Sequence, residues 1–241
     1  MTMARRADRP ENDRIRVLDA LEGDVVACRR CPRLVEWREQ VAVEKRAAYR
    51  DQEYWGRPVP GFGDPSARIA VVGLAPAAHG ANRTGRVFTG DRSGDWLFRA
   101  MHRAGLANQP ESVAVDDGLR LTDAWVTAAV KCAPPANRPT PAERTACAPF
   151  LERELDAIGP IHVVVCLGAF GYDAACRHFE VDRPAKFGHG VEAEIVTRSG
   201  ASVVLLASYH PSQQNTFTGR LTEPMLDAVF HRAVELVSTG R

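Results

Sequence analysis

The sequence predicts an α/β protein, a three-layer α/β/α sandwich around a central, mostly parallel four-stranded sheet. Three observations predict it. Four short apolar runs are rich in β-branched residues, helix-like stretches of ten residues or more alternate with them, and three of the four runs end in unusual polar or proline-rich loops.

The first run is Arg68–Gly73 (R-I-A-V-V-G), followed by Ala124–Val130, Ile161–Leu167 and Ser202–Ala207. Such runs suit strands covered on both faces better than strands with one wet side. Among the helix-like stretches, Asp95–Ala104 offers Trp96, Phe98, Met101 and Ala104 to buried faces, and Gly105 can end it. Pro141–Leu155 opens with Thr140 as N-cap, Pro141 at the first helical position and Glu143 at capping-box spacing. Gly168–Phe179 and Pro224–Val237 complete the alternation. No long linker or repeat divides the chain. Residues 1–22 read as a flexible lead-in and helix start, and residues 23–241 as one domain.

The 241 residues are 45% hydrophobic and 25% charged, the composition of an ordinary folded protein. Lys plus Arg number 31 against 30 for Asp plus Glu. No long-range field therefore announces a polyanionic partner, although a local basic groove stays open. No segment approaches the roughly 18 apolar residues of a membrane-spanning helix. The N-terminus carries both signs of charge and leads into no apolar signal core. The expectation is a cytoplasmic monomer with no membrane partner, in which six cysteines point to metal or redox chemistry rather than disulfides.

Cys28 and Cys31 form a Cys-x-x-Cys step, and Cys132 and Cys147 lie 15 apart in a distant part of the chain. Four thiolates complete either a zinc site or a cubane iron–sulfur cluster, and spacing does not separate the two. Unligated core cysteines are the bland alternative at Cys28 and Cys31. Cys166 and Cys176 read as small buried hydrophobes.

In an open parallel sheet, ligands sit outside the carboxyl ends of the strands. Gly73-Leu74-Ala75-Pro76-Ala77 follows the first run, and its small residues let backbone approach a ligand. Neither a dinucleotide fingerprint nor a phosphate loop is present, so no nucleotide cofactor is expected. The next loop holds Arg83, Arg86 and Arg92 with Phe88 and Asp91. Arginines pair with phosphates, an aromatic ring stacks on a base and a carboxylate orients water. The bland reading of any one of these is a solvated glycine-rich loop. His210, in Tyr209-His210-Pro211-Ser212 after the last run, is the best single candidate, whereas His79 and His189 read as structural.

Taken together, these residues resemble the uracil-DNA glycosylase superfamily, and specifically its iron–sulfur branch. The G-x-A-P-G/A motif is matched by Gly73-Leu74-Ala75-Pro76-Ala77, and the H-P-S turn by His210-Pro211-Ser212. The branch's K-C-x-P-P pattern is matched by Lys131-Cys132-Ala133-Pro134-Pro135. The likeness runs from about Cys28 to Val237. Within the branch the chain resembles the fifth family, often called type b. It has Leu74 where the fourth family carries Glu, and Ala128 where that family carries a uracil-reading Asn.

The resemblance implies a monofunctional DNA glycosylase that excises uracil and other deaminated bases, hypoxanthine among them, and so starts base excision repair. It implies that Cys28, Cys31, Cys132 and Cys147 hold a [4Fe–4S] cluster. His210 would donate to the base oxygen where negative charge collects, and Asp91 would orient or activate water. Gly73, Ala75 and Phe88 would line the base pocket, with Asn137 a polar contact. Arg83, Arg86 and Arg92 would meet phosphates, and Gln213, Gln214 and Asn215 would approach the minor groove. Two other readings stand beside it. One is a non-catalytic iron–sulfur nucleic-acid-binding protein on the same fold, against which Asp91 and His210 count. The other is an unrelated zinc α/β hydrolase, separable by metal content. No Ser or Cys nucleophile motif is present. No active-site lysine suggests a Schiff-base lyase, Lys131 being read as directed away.

Overall fold

A computed structural model describes residues 10–182, 184–197 and 200–239. Its strands are β1 (Phe62–Gly63), β2 (Ile69–Gly73), β3 (Ala124–Ala128), β4 (Val163–Leu167), β5 (Glu192–Val196) and β6 (Ser202–Ser208). They form one sheet in the order β1-β3-β2-β4-β6-β5. The inner four run parallel, while β1 and β5 pair antiparallel at the two edges. This corrects the four-stranded expectation: the sheet has six strands and is mixed. Both edges were illegible for physical reasons. β1 is two residues long, too short for any periodicity, and β5 alternates exposed with half-buried residues instead of forming an apolar run.

The longer helices are α1 (Glu11–Val26), α2 (Pro32–Glu44), α4 (Arg92–Arg103), α5 (Pro141–Ala157), α6 (Gly168–His178) and α8 (Glu223–Ser238). Two short ones, α3 (Ala81–Thr84) and α7 (Gln213–Phe217), sit in the strand-end loops. Period-two alternation divides the sheet's side chains between two cores. Ile69, Val71, Val163, Val165, Val204 and Leu206 meet α4 and α8 on one face. Ala70, Val72, Val164, Cys166, Leu205 and Ala207 meet α5 and α6 on the other. Among the described residues no helix is long and apolar enough to cross a membrane.

Local chemistry sets the helix starts. Thr140 Oγ1 accepts from the Glu143 amide while the Glu143 carboxylate accepts from the Thr140 amide, a reciprocal capping box. The α4 helix begins at Arg92, ahead of the expected Asp95, because the Asp91 side chain caps it by accepting from the Gly94 amide at 3.1 Å. The expected boundary at residue 22 falls within α1, whose Leu18, Leu21 and Val25 are buried, and residues 1–9 of the expected lead-in lie outside the described residues.

Candidate active site and cysteine centre

The parallel strands deliver their loops to one edge of the sheet. Gly73 stands opposite Ala128, and Leu167 opposite Ser208, so the loops after β2, β3, β4 and β6 emerge side by side. The β2–β3 pairing extends past the strands, with the Ala129 and Val130 amides donating to the Gly73 and Leu74 carbonyls.

At this edge the Phe88 ring lies against Gly73, where an added β-carbon would fall 2.5 Å from Cζ. The same ring faces His210, with centroids 5.8 Å apart and planes tilted by 33°. Phe88 itself is held at a φ of 53°, a left-handed backbone that a bulky residue rarely adopts. Such strain persists only where the surroundings over-determine it. Here Gly94 packs so closely on the Phe88 carbonyl that an added β-carbon would lie 1.7 Å away. His210 rests on Gly168, and its carbonyl accepts from Asn215 Nδ2 at 2.9 Å, which folds the following turn back. Burial pushes the His210 imidazole down to about 4, so the ring is neutral at physiological pH and can donate one N–H.

Asp91 sits at the N-terminus of α4 with Oδ1 on the Gly94 amide. Its other oxygen lies against Gly80. Burial raises the carboxyl above its ordinary value, opposed by backbone hydrogen bonds from Gly94 and Ser93. A carboxyl so placed holds a proton more readily than an exposed one and is the stronger base when ionised.

The three loop arginines have different fates. Arg83 is buried, donating to the His79 and Gly90 carbonyls and to Gln52 while covering the Tyr49 ring. Arg86 is buried in an ion pair with Asp117 and bonds Thr89, Ser112 and the Val115 carbonyl. Both hold the loop together from inside. Arg92 is exposed and lies over the ring of Phe217, 4.4 Å from its centroid. Gln213 and Gln214 are exposed at the start of α7. Phe217 is 67% exposed beside them, a large apolar side chain standing in solvent. The sequence reading gave Phe217 no contact of its own, although an aromatic in so polar a turn was its signal. Asn137 is exposed on a left-handed pair with Ala136 in the loop after β3.

The four cysteines converge from three parts of the chain. Cys28 follows α1, Cys31 caps α2, Cys132 follows β3 and Cys147 lies on α5. They share one apolar cluster with Leu21, Val25, Leu34, Val130 and Phe150, and all four line the same cavity. Ala75 packs on this cluster, so the motif loop after β2 touches the active edge on one side and the cysteines on the other. Burial drives the Cys132 thiol up to about 11 and that of Cys147 to about 12, and raises Cys31 as well. Donors nevertheless point at the sulfurs: Arg38 Nη1 to Cys132 Sγ at 3.0 Å, and the Lys131 amide to Cys147 Sγ at 3.2 Å. Two buried and two half-buried thiols around one cavity, with a guanidinium aimed at Cys132 and a backbone amide at Cys147, fit a thiolate-ligated centre. Lys131 itself turns away from the active edge. Its Nζ contacts Glu154 Oε2 at 2.5 Å and Thr127 Oγ1 at 2.6 Å, with both partners of the ion pair almost fully buried.

Residues 60–233 match the family described as the Uracil DNA glycosylase superfamily. The chain is 57% identical to a Type-5 uracil-DNA glycosylase of Mycobacterium tuberculosis over 215 residues, 88% of this chain and 79% of that protein. It is 52% identical to a Type-5 uracil-DNA glycosylase of Thermus thermophilus over 219 residues, 90% of this chain and 97% of that protein. A Type-4 uracil-DNA glycosylase of Archaeoglobus fulgidus is 34% identical over 155 residues, 64% of this chain and 70% of its own length. A family match over most of the chain and identity of this depth show that the chain belongs to the uracil-DNA glycosylase superfamily, among its type-5 members.

Proposed function

We propose that the protein is a monofunctional DNA glycosylase that hydrolyses the N-glycosidic bond of uracil and other deaminated bases in DNA, hypoxanthine among them, and so initiates base excision repair. The observation that carries this reading is the juxtaposition of Phe88, Gly73 and His210 at the carboxyl edge of the sheet. A flipped base stacks on Phe88 with its edge toward His210, and the backbone at Gly73 and Ala75 walls the pocket. As the glycosidic bond breaks, negative charge collects on the departing base. A neutral histidine stabilises it by donating a hydrogen bond, without carrying a proton away. Asp91 orients the attacking water and accepts its proton.

Arg92 supplies an exposed cation for a phosphate, and Phe217 with Gln213 and Gln214 meets the duplex beside the extruded nucleotide. Extrusion costs a few kcal/mol and least at a mismatch, which favours U·G over sound pairs. Cys28, Cys31, Cys132 and Cys147 hold a [4Fe–4S] cluster. When bound, it supplies a structural cross-link between the two N-terminal helices, β3 and α5 rather than redox chemistry on the base. The protein acts as a cytoplasmic monomer on DNA.

The test is single-turnover cleavage of duplex oligonucleotides, each carrying one uracil or one hypoxanthine, with the free base measured. Release of free uracil leaving an intact abasic strand is the expected result. No base release from either substrate by iron-loaded protein overturns the reading.

A further inference from the structure

Arg38 lies in α2, one turn after Leu34, with its side chain 2% exposed. An arginine is long enough to carry its charge to water, and burying a guanidinium costs several kcal/mol unless it is compensated. Its carboxylate neighbour is a poor compensation, since Glu39 is 43% exposed and 3.7 Å away. The better contacts are elsewhere. Nη1 donates to Cys132 Sγ at 3.0 Å and Nη2 to the Cys28 carbonyl at 3.3 Å, so one side chain grips two of the four cysteine segments.

The same residue also reaches the active-site loop. Its carbonyl accepts from Asn82 Nδ2 at 3.2 Å, and Asn82 is fully buried in α3. Arg38 Nε and Asn82 Oδ1 are both buried without a hydrogen-bond partner among the described residues. Asn82 in turn ties down its surroundings: its amide donates to the Ala77 carbonyl, and its carbonyl accepts from Gly56. It stands two residues after Gly80, the glycine that backs Asp91. A continuous set of contacts therefore runs from Cys132 through Arg38 and Asn82 to the wall behind the water-activating carboxylate.

We propose that Arg38 is a positioning residue that balances the charge of the thiolate centre and, through Asn82, couples that centre to the loop holding Asp91. The inference rests on the reading that the four cysteines hold an iron–sulfur cluster. A cluster ligated by four thiolates is net negative, and hydrogen bonds to its sulfurs raise its reduction potential. A buried guanidinium facing Cys132 is then compensated by the centre itself, and the main-chain bond to Asn82 carries the resulting order into α3.

The experiment compares wild-type protein with Arg38→Met, Arg38→Lys and Asn82→Ala, all purified without oxygen. Its readouts are iron and sulfide per chain, reduction potential, iron loss to EDTA, and amide hydrogen exchange over residues 80–84. Arg38→Met is expected to shift the potential negative, lose iron about tenfold faster, as for one charged hydrogen bond, and speed exchange in the 80–84 segment. Arg38→Lys keeps the charge but cannot span both partners, so its potential should lie between those of Arg38→Met and wild type. Asn82→Ala should leave potential and iron loss as in wild type while exchange quickens and kcat falls with KM little changed. A wild-type potential in Arg38→Met overturns the proposal, as does unchanged exchange in both Arg38→Met and Asn82→Ala. If Arg38→Met does not accumulate folded, a wild-type potential in Arg38→Lys overturns it equally. Iron-free wild-type protein overturns the cluster reading and this proposal together, an outcome visible before any variant is compared.

Discussion

The Asp91 carboxylate lies so close to Gly80 that a β-carbon on the glycine would fall 2.0 Å from Oδ2. The other carboxylate oxygen is held by the Gly94 amide at 3.1 Å, so the side chain has one orientation fixed from two sides. Capping and close packing thus place a chemical group, and the helix start at Arg92 serves the site as much as the fold.

That contact makes Gly80 a test of Asp91. Asp91→Ala should lower the single-turnover rate on U·G duplex by about 10²–10⁴, the range for losing a general base. Gly80→Ala must push the carboxylate aside, and its rate should fall toward that of Asp91→Ala. Combining the two should add little, since groups in contact are not additive. Full additivity would show that Gly80 acts elsewhere.

His210 should act as a neutral donor. His210→Ala is expected to lose about 10²–10³ in rate. Because burial holds its pKa at about 4, the rate–pH profile should show no histidine limb between pH 5 and 8. Any acidic limb belongs to Asp91, whose raised pKa means that activity falls as pH falls through it. Stability follows the same sign for His210. The depressed folded value makes its contribution complete above the unfolded value of about 6.5 and lost as pH falls toward 4. A limb near pH 6.5 that vanishes in His210→Ala would contradict the neutral ring.

The arginines separate by salt dependence. Arg92→Ala should reduce the slope of log K against log salt by roughly 0.9, one phosphate contact. Arg86→Ala should instead lower the melting temperature, since it leaves Asp117 buried and unpaired. Phe217→Ala should slow excision from duplex more than from single-stranded DNA, where no unstacking is needed. Equal losses on both substrates would remove Phe217 from the duplex contact.

Lys131 should be structural. Lys131→Ala strands the buried Glu154 and is expected to cost about 3–5 kcal/mol in chemical denaturation. Replacing both partners, Lys131→Met with Glu154→Leu, should recover much of that loss. Neither change should create or abolish cleavage at abasic sites. Strand nicking that depends on Lys131 would instead reveal a lyase.

The [4Fe–4S] assignment predicts brown protein with about four irons per chain by the cluster's stoichiometry. Cys132→Ser and Cys147→Ser should lose both iron and stability, because each leaves a polar group in an apolar cluster. One zinc per chain with little iron would replace the cluster by a metal ion.

The sequence by itself determined the four central strands, the capped α5 helix and the pairing of motif loops with strand ends. Each of these is written in local patterns: apolar runs, a Thr140–Glu143 cap and histidine or glycine motifs directly after a strand. The tertiary structure alone decided the edge strands, because a two-residue β1 and a half-wet β5 exist only through their neighbours. It also decided which arginines face solvent. Composition marks Arg38, Arg83, Arg86 and Arg92 alike, yet three are buried because folding brings them a thiol, the Gln52 side chain and a carboxylate from distant segments. Arg38 and Cys132 are 94 residues apart in the chain, and nothing local to either announces the other. A side chain's type follows from sequence, whereas its solvation depends on the partners that packing supplies, and at this site solvation determines what each charge can do.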